Sequence, residues 1–317
     1  MDMRSFATLI FFALALSFLP ACAKGCGKSA EAGGRTQVAV SIFPIYDLVR
    51  RVAGPDADVA LLVEPGHNAH SFDPTPKDIA VASKAKLGVM VGLGLDPWME
   101  TLVKQASPDA RILKVGDRVP PLLIKDDARG DDQAETAPRG NDDDVRENSM
   151  TDPHCWLDPQ RARLIVRAIA EELSRVDGAH TLGYRDRATV LDKILDELDQ
   201  ETEARTRALK HRGVVTFHEA FRYFAERYKL DILGVIEPVP GSPPTSESMA
   251  KVRNIIKTKS VRVLFSEPQL DSRPAMGLAD EAKIPLGVLD PIGGNSDTDS
   301  YEKMIRFDVS QLEKFLN

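Results

Sequence analysis

Short apolar runs separated by helix-length segments recur along the whole chain and restrict the folds that it can adopt. Four runs lie in the first half and four in the second: residues 38–42, 59–63, 87–91, 111–115, 214–217, 231–235, 261–265 and 286–289. A strand that is apolar on both faces is typical of a parallel sheet covered by helices on each side. The pattern therefore predicts an α/β fold with two lobes, each built around a parallel sheet.

A long segment between the two halves has a different pattern. Apolar residues such as Leu191, Leu195 and Leu198 recur at helical spacing, charged residues fill the other faces, and no proline interrupts them. We predict one linker helix over residues 179–210, ~40 Å long at 1.5 Å per residue. It would join a first lobe at residues 37–178 to a second lobe at residues 211–317.

The first 22 residues have the pattern of an export signal. Arg4 precedes an almost unbroken apolar run at residues 6–19, which is short for a membrane span. Residues 19–22 resemble a bacterial lipobox, in which Cys22 would become the lipidated first residue of the mature protein. Ordinary cleavage nearby, giving a free soluble product, is the alternative. We expect a periplasmic or otherwise extracytoplasmic lipoprotein with a flexible tether at residues 23–36.

The cysteine count and the net charge argue against a disulfide framework and against a nucleic-acid partner. Of the three cysteines, Cys22 and Cys26 lie in the signal and tether, so Cys155 has no obvious partner and no disulfide framework is expected. The net charge of −7 argues against a nucleic-acid partner, which usually requires a basic face. Residues 126–152 are acidic with few apolar side chains, and we predict a disordered loop within the first lobe.

Candidate metal ligands follow the predicted strands. His70, His154 and His218 lie in loops near strand ends, and Asp290 directly follows the last predicted strand. Open α/β sheets bind ligands at the carboxyl ends of their strands, and three imidazoles with one carboxylate suit zinc. Taken singly, each residue also fits a turn or a helix cap.

Five segments carry a resemblance to a known family. They are residues 65–76 (PGHNAHSFDPTP), 153–159 (PHCWLDP), 217–224 (FHEAFRYF), 265–269 (FSEPQ) and 289–291 (LDP). In this order they resemble the cluster A-I metal-binding receptors of ABC importers, the zinc and manganese group. The resemblance implies two Rossmann-like lobes joined by one long helix. It also implies that His70, His154, His218 and Asp290 are the metal ligands, with Glu267 near the site to orient or neutralise them. His67 is close enough to His70 in sequence to be a second donor, and a solvated loop position is the alternative.

The resemblance further implies a function, and alternatives remain open beside it. We expect a monomeric receptor, not an enzyme, that captures Zn²⁺ and passes it to an ABC import permease. Histidine at position 218 favours zinc, whereas a carboxylate there would favour manganese. A manganese receptor, a zinc hydrolase and a metal-storing adhesin are the alternatives. The acidic loop lacks the histidines that zinc-uptake relatives often carry there, and Cys155 is not required by the family pattern.

Overall fold

The computed structural model describes residues 34–122, 151–238 and 241–317. The predicted signal peptide with Cys22, the tether up to residue 33 and residues 126–150 of the predicted acidic loop lie outside the described residues. Only Thr151 and Asp152 of that loop can be compared with the prediction. Asp152 is fully buried, so this end of the segment is part of the folded first lobe.

The first lobe contains a four-stranded parallel sheet in the order β2-β1-β3-β4. Its strands are β1 (Thr36–Val40), β2 (Ala57–Leu61), β3 (Leu87–Met90) and β4 (Arg111–Lys114). The helices are α1 (Phe43–Ala53), α2 (Pro76–Ala82), α3 (Pro97–Ala106) and α4 (Pro159–Val176). Three of these helices begin with proline, whose fixed φ and missing N–H suit the first helical position.

The second lobe repeats this arrangement with a sheet in the order β6-β5-β7-β8, again parallel. Its strands are β5 (Gly213–Thr216), β6 (Asp231–Val235), β7 (Leu264–Ser266) and β8 (Leu286–Val288). The helices are α6 (Arg222–Tyr228), α7 (Ser246–Thr258), α8 (Arg273–Ala282) and α9 (Tyr301–Leu316). All eight predicted strands are present, most of them shifted by one to three residues from the predicted bounds.

The predicted linker is a single helix, α5 (Thr181–Arg207), of 27 residues. Leu191, Leu195 and Leu198 are buried on the side that faces the core, while Val190 is 60% exposed. The helix ends slightly earlier than the pattern predicts, because buried Leu209 already belongs to the turn before β5. Arg163 of α4 forms ion pairs with Asp192 and Asp196 of α5, which strengthens the contact between these two helices.

The C-terminal helix α9 connects the second lobe back to the first. The Tyr301 N–H donates to Asp47 Oδ2 at 3.0 Å, and Glu302 pairs with Arg51 of α1 at 2.6 Å. Nearby, Trp156 Nε1 donates to the Pro291 carbonyl oxygen at 2.7 Å. The predicted fold class is confirmed, whereas the lobe boundaries at residues 178 and 210 stay predictions, because α9 contacts elements on both sides of them.

Within the described ranges, no helix combines the length and apolar character needed to cross a membrane.

Candidate metal centre

His70 lies in the loop that follows β2. The Asn68 side chain accepts a hydrogen bond from the His70 backbone N–H at 2.9 Å and begins a short 3-10 turn over Ala69–Ser71. Trp98 Nε1 approaches the Ala69 carbonyl oxygen at 3.3 Å and ties this turn to α3. The loop conformation is therefore set by two side chains that flank the histidine.

His154 precedes α4 and is held by a carboxylate two residues earlier. Asp152 Oδ1 accepts hydrogen bonds from the His154 backbone N–H at 2.9 Å and from its Nδ1 at 2.8 Å. The residue is almost completely buried, with 4% of its surface exposed. Because Nδ1 donates to the carboxylate, Nε2 carries the lone pair and is available to bind a metal ion.

His218 follows β5, and the carboxylate of Glu267, which follows a neighbouring strand of the sheet, lies behind it. Its backbone N–H donates to Glu267 Oε1 at 3.1 Å, and Glu267 Oε2 lies 2.6 Å from Nδ1, off the axis of a straight hydrogen bond. Glu267 directly follows β7, the neighbour of β5 in the sheet. Adjacent parallel strands thus bring the histidine and its carboxylate to the same edge.

The three imidazoles converge on one point. The Nε2 atom of His154 lies 3.4 Å from that of His70 and 3.2 Å from that of His218. One donor atom from each ring lies within 4.8 Å of the others. Two nitrogens bound tetrahedrally to zinc at 2.0–2.1 Å are about 3.3 Å apart, so the observed spacings match the edge of a zinc coordination tetrahedron.

The cavity between the rings is small and largely apolar. Its volume is about 20 Å³, enough for one ion or one water molecule. Apolar residues from both lobes are half of the twelve that line it: Ala69, Leu95, Trp156, Leu270, Pro291 and Ile292. A space of this size suits a single ion and is too small for an organic substrate.

Burial and neighbouring charges affect the three histidines differently. Burial, together with the neighbouring His154 and His218, lowers the pKa of His70 to about 3. Burial also lowers the pKa of His154, against the opposing effect of Asp152. At His218, burial is outweighed by the carboxylates, chiefly that of Glu267, and the pKa is raised. Two of the three rings are therefore neutral, as metal ligands must be.

The fourth predicted ligand, Asp290, does not belong to this group of converging donors. Its Oδ1 accepts hydrogen bonds from Gln269 Nε2 at 2.7 Å, the Gly293 N–H at 2.8 Å and the Ile292 N–H at 3.2 Å. Its Oδ2 has a longer contact of 3.4 Å with Thr298 Oγ1. The structure thus places Asp290 beside the cavity wall, and its role as a ligand stays a prediction.

The other predicted neighbours occupy different positions. His67 is exposed, and its Nδ1 lies 3.2 Å from the Glu64 carbonyl oxygen. It is not among the described residues that line the cavity. Cys155 is fully buried, and burial raises the pKa of its thiol to about 12. Among the described residues, it belongs neither to the converging donor atoms nor to the residues that line the cavity.

Sequence reasoning missed two residues of the site. Asp152 is assigned to the acidic loop because it ends that segment, yet it orients His154. Gln269 lines the cavity and donates to Asp290. For Asp152 a local signal exists, since an acidic residue two positions before a histidine can accept its backbone N–H. For Gln269 only the fold supplies the information.

Comparison with known proteins agrees with this geometry. Residues 38–315 match the family described as "Zinc-uptake complex component A periplasmic". The zinc-binding protein AdcA of Streptococcus pyogenes serotype M3 is 26% identical over 269 residues, which is 84% of this chain but 52% of that relative. The chain thus spans about half the length of the first curated relatives that it matches. The high-affinity zinc uptake system protein ZnuA of Brucella suis biovar 1 is 27% identical, with 92% of this chain and 95% of that protein covered.

Solved structures share the fold. A crystal structure of ZnuA has a TM-score of 0.75 at 24% identity and covers 90% of this chain and 100% of that one. The periplasmic zinc-binding protein TroA from Treponema pallidum has a TM-score of 0.75 at 21% identity, with 89% and 99% covered. The chain belongs to the zinc-uptake complex component A family, whose members are periplasmic or extracellular solute-binding receptors for metal ions and not enzymes.

Proposed function

We propose that this protein is an extracytoplasmic receptor that captures Zn²⁺ and delivers it to the permease of an ABC importer. The spacing of the three Nε2 atoms, 3.4 Å and 3.2 Å along two edges, is the observation that carries the proposal. The names of the relatives, a zinc-binding protein and a zinc uptake system protein, support the same ion and the same process.

The proposed ligands are the Nε2 atoms of His70, His154 and His218, with Asp290 as the fourth donor. Asp290 Oδ2 has one long contact of 3.4 Å, whereas Oδ1 accepts three hydrogen bonds, so Oδ2 is the oxygen with lone pairs left for an ion. Asp152 and Glu267 take a different role, since each lies against the Nδ1 atom of a ligand ring. A carboxylate in that position fixes the ring orientation and makes the other nitrogen more basic.

Zinc rather than manganese is proposed because of the donor atoms. Imidazole nitrogens favour zinc, whereas manganese prefers oxygen donors. The test is metal analysis of protein purified without chelator, followed by competition titrations with Zn²⁺ and Mn²⁺. We expect zinc to bind more tightly by at least about 100-fold. Equal affinities, or tighter manganese binding, would contradict the choice of zinc and favour a manganese receptor.

Delivery requires a separate experiment in cells. A strain lacking this protein is expected to grow poorly under zinc chelation and to recover with the wild-type chain or with added zinc. The His218→Ala variant, which loses one proposed donor, is expected to restore growth only weakly although the protein is present at the same level. Full recovery with that variant would contradict capture at this centre as the source of the imported ion.

We further propose that Cys22 anchors the receptor to the membrane through a lipid. The support is the lipobox-like sequence at residues 19–22. A Cys22→Ala variant is expected to leave the membrane fraction, or to remain unprocessed, while its zinc affinity is unchanged. Wild-type protein found only in the soluble fraction would instead favour ordinary cleavage.

Release is proposed to involve small lobe tilts. The single helix α5 and the contacts of α9 with α1 resist wide opening of the two lobes. Solution scattering should therefore give nearly equal radii of gyration with and without zinc. A large difference between the two profiles would contradict this proposal.

A further inference from the structure

Tyr223 of α6 is buried, and its hydroxyl group joins two segments of the first lobe. The hydroxyl oxygen accepts a hydrogen bond from the Leu122 N–H at 2.8 Å, and the hydroxyl donates to the Asp152 carbonyl oxygen at 3.1 Å. The Asp152 N–H in turn donates to the Leu122 carbonyl oxygen at 2.9 Å. One side chain from the second lobe thus links the backbone of Leu122 to that of Asp152.

This backbone position matters because Asp152 orients His154. The same Asp152 Oδ1 accepts from both the backbone N–H and the Nδ1 of His154, at 2.9 Å and 2.8 Å. A short chain of contacts therefore runs from the Tyr223 hydroxyl through Asp152 to a proposed metal ligand. Each group in the chain is buried, so water cannot readily replace a lost partner.

The helix that carries Tyr223 also continues from another proposed ligand. α6 begins at Arg222, four residues after His218, with a short turn over Glu219–Phe221 between them. A movement of this segment would displace His218 and, through the hydroxyl of Tyr223, the support of His154. The two imidazoles, which come from different lobes, are therefore mechanically connected.

We propose that Tyr223 is a positioning residue for the metal centre: its hydroxyl holds Asp152, and through it His154, in register with His218. The inference rests on the proposed zinc site and names the group that makes the two lobes act on that site together. It predicts that removal of one hydroxyl, in a residue that touches no metal ligand side chain directly, weakens zinc binding.

The chain offers a clean variant and a matched control. The guanidinium of Arg161 lies 4.5 Å from the centre of the Tyr223 ring, and this contact holds the ring of a Tyr223→Phe variant in place. Tyr228, at the other end of α6, is also buried, and its hydroxyl donates to Asp199 Oδ1 at 3.0 Å. Tyr228→Phe removes a comparable buried hydrogen bond from the same helix without touching Asp152.

The experiment measures zinc affinity by competition with a chromophoric chelator, and the visible absorption of the Co²⁺-loaded proteins, for wild type and both variants. Mutation of a residue that hydrogen-bonds to a metal ligand typically lowers the metal affinity 10–100-fold. For Tyr223→Phe, one contact further away, we expect a loss of roughly 3–10-fold and an altered Co²⁺ spectrum. Tyr228→Phe should retain wild-type affinity and spectrum while losing a similar amount of thermal stability.

A double-mutant cycle tests the route. In an Asp152→Ala background the connection to His154 is already lost, so adding Tyr223→Phe should weaken zinc binding no further. Wild-type affinity and spectrum in the single Tyr223→Phe variant would overturn the inference, as would an equal loss in Tyr228→Phe or a full additional loss in the Asp152→Ala background. Failure of the wild-type protein to bind zinc would instead contradict the proposed zinc site itself.

Discussion

The two sides of the candidate metal centre differ in how closely their donor atoms already match the positions of metal ligands. On one side, three imidazoles from both lobes converge, and the Nε2 atom of His154 lies from each of the other two at the spacing of metal-bound nitrogens. On the other side, the Asp290 carboxylate accepts hydrogen bonds from Gln269 and from its own loop, and lies outside the converging group.

The difference follows from the charge of the donors. The neutral rings of His70 and His154 can be buried at modest cost, and the Glu267 carboxylate behind His218 offsets the burial of that ring. An ionised carboxylate in a buried place needs hydrogen-bond donors of its own. Asp290 is therefore held by its donors, whereas His154 and His218 are held by acceptors behind their rings. The comparison indicates that the histidines define the centre and that Asp290 completes it.

The largest expected effect comes from removing an imidazole. His154→Ala should weaken zinc binding by more than about 100-fold, because it removes a donor atom and leaves the buried Asp152 Oδ1 with only the backbone N–H of that residue as its partner there. Competition titration measures the loss. His211→Ala, whose described hydrogen bond uses only the backbone N–H, is the control and should bind as wild type does. Only a small loss of zinc affinity in His154→Ala would contradict the view that the histidines define the centre.

A smaller loss is expected at the other side of the site. Asp290→Asn keeps the shape and one acceptor oxygen but removes the negative charge, and should cost roughly 10-fold to 100-fold in zinc affinity. The same titration, carried out beside His154→Ala, gives the ratio of the two effects. If Asp290→Asn loses as much as His154→Ala, the carboxylate is an equal partner, and the distinction between the two sides is wrong.

The pH dependence sharpens the same picture. The pKa values of His70 and His154 are lowered, and that of His218 is raised, so His218 is the ring that must lose a proton on zinc binding. Zinc affinity should be highest above the raised pKa of His218 and should fall as the pH drops through that pKa. The fall begins above the usual value of about 6.5, with a slope of about one proton rather than three.

Calorimetry in buffers of different ionisation enthalpy counts the released protons directly. The Glu267→Gln variant removes the charge that raises the pKa of His218, so its loss of affinity should begin at a lower pH than in the wild type. Release of two or more protons by the wild type would contradict the assignment of neutral rings to His70 and His154.

The smallest effect is expected at Cys155, although it is next to His154 in sequence. Cys155→Ala should change zinc affinity by less than about 2-fold, because the buried thiol is neither among the converging donor atoms nor among the described residues that line the cavity. Thermal unfolding should show a modest loss of stability, about 1 kcal/mol, from the cavity left by the sulfur. A large loss of zinc binding would mean that the sulfur enters the coordination shell.

Much of the fold could be predicted because its signals are local. Apolar runs gave the eight strands, and the periodicity around Leu191 and Leu198 gave the linker helix, since burial on one face requires that spacing. His70, His154 and His218 could be proposed as neighbours because loops at the carboxyl ends of parallel strands meet at one edge. The contacts of Gln269 and Tyr223 could not be predicted, because each acts on a residue of a distant segment. Asp152, two residues before His154, does carry a local signal, which its place at the end of the acidic segment hides.

By itself, the sequence determined the two parallel sheets, the single helix between them and the three histidines, because periodicity and strand ends are properties of neighbouring residues. Only the tertiary structure decided which atoms meet. It turned three Nε2 atoms toward one small cavity, placed Asp152 and Glu267 behind two of the rings, and kept Asp290 among other donors. Buried polar groups must find partners wherever packing brings them, and packing joins residues that lie far apart along the chain.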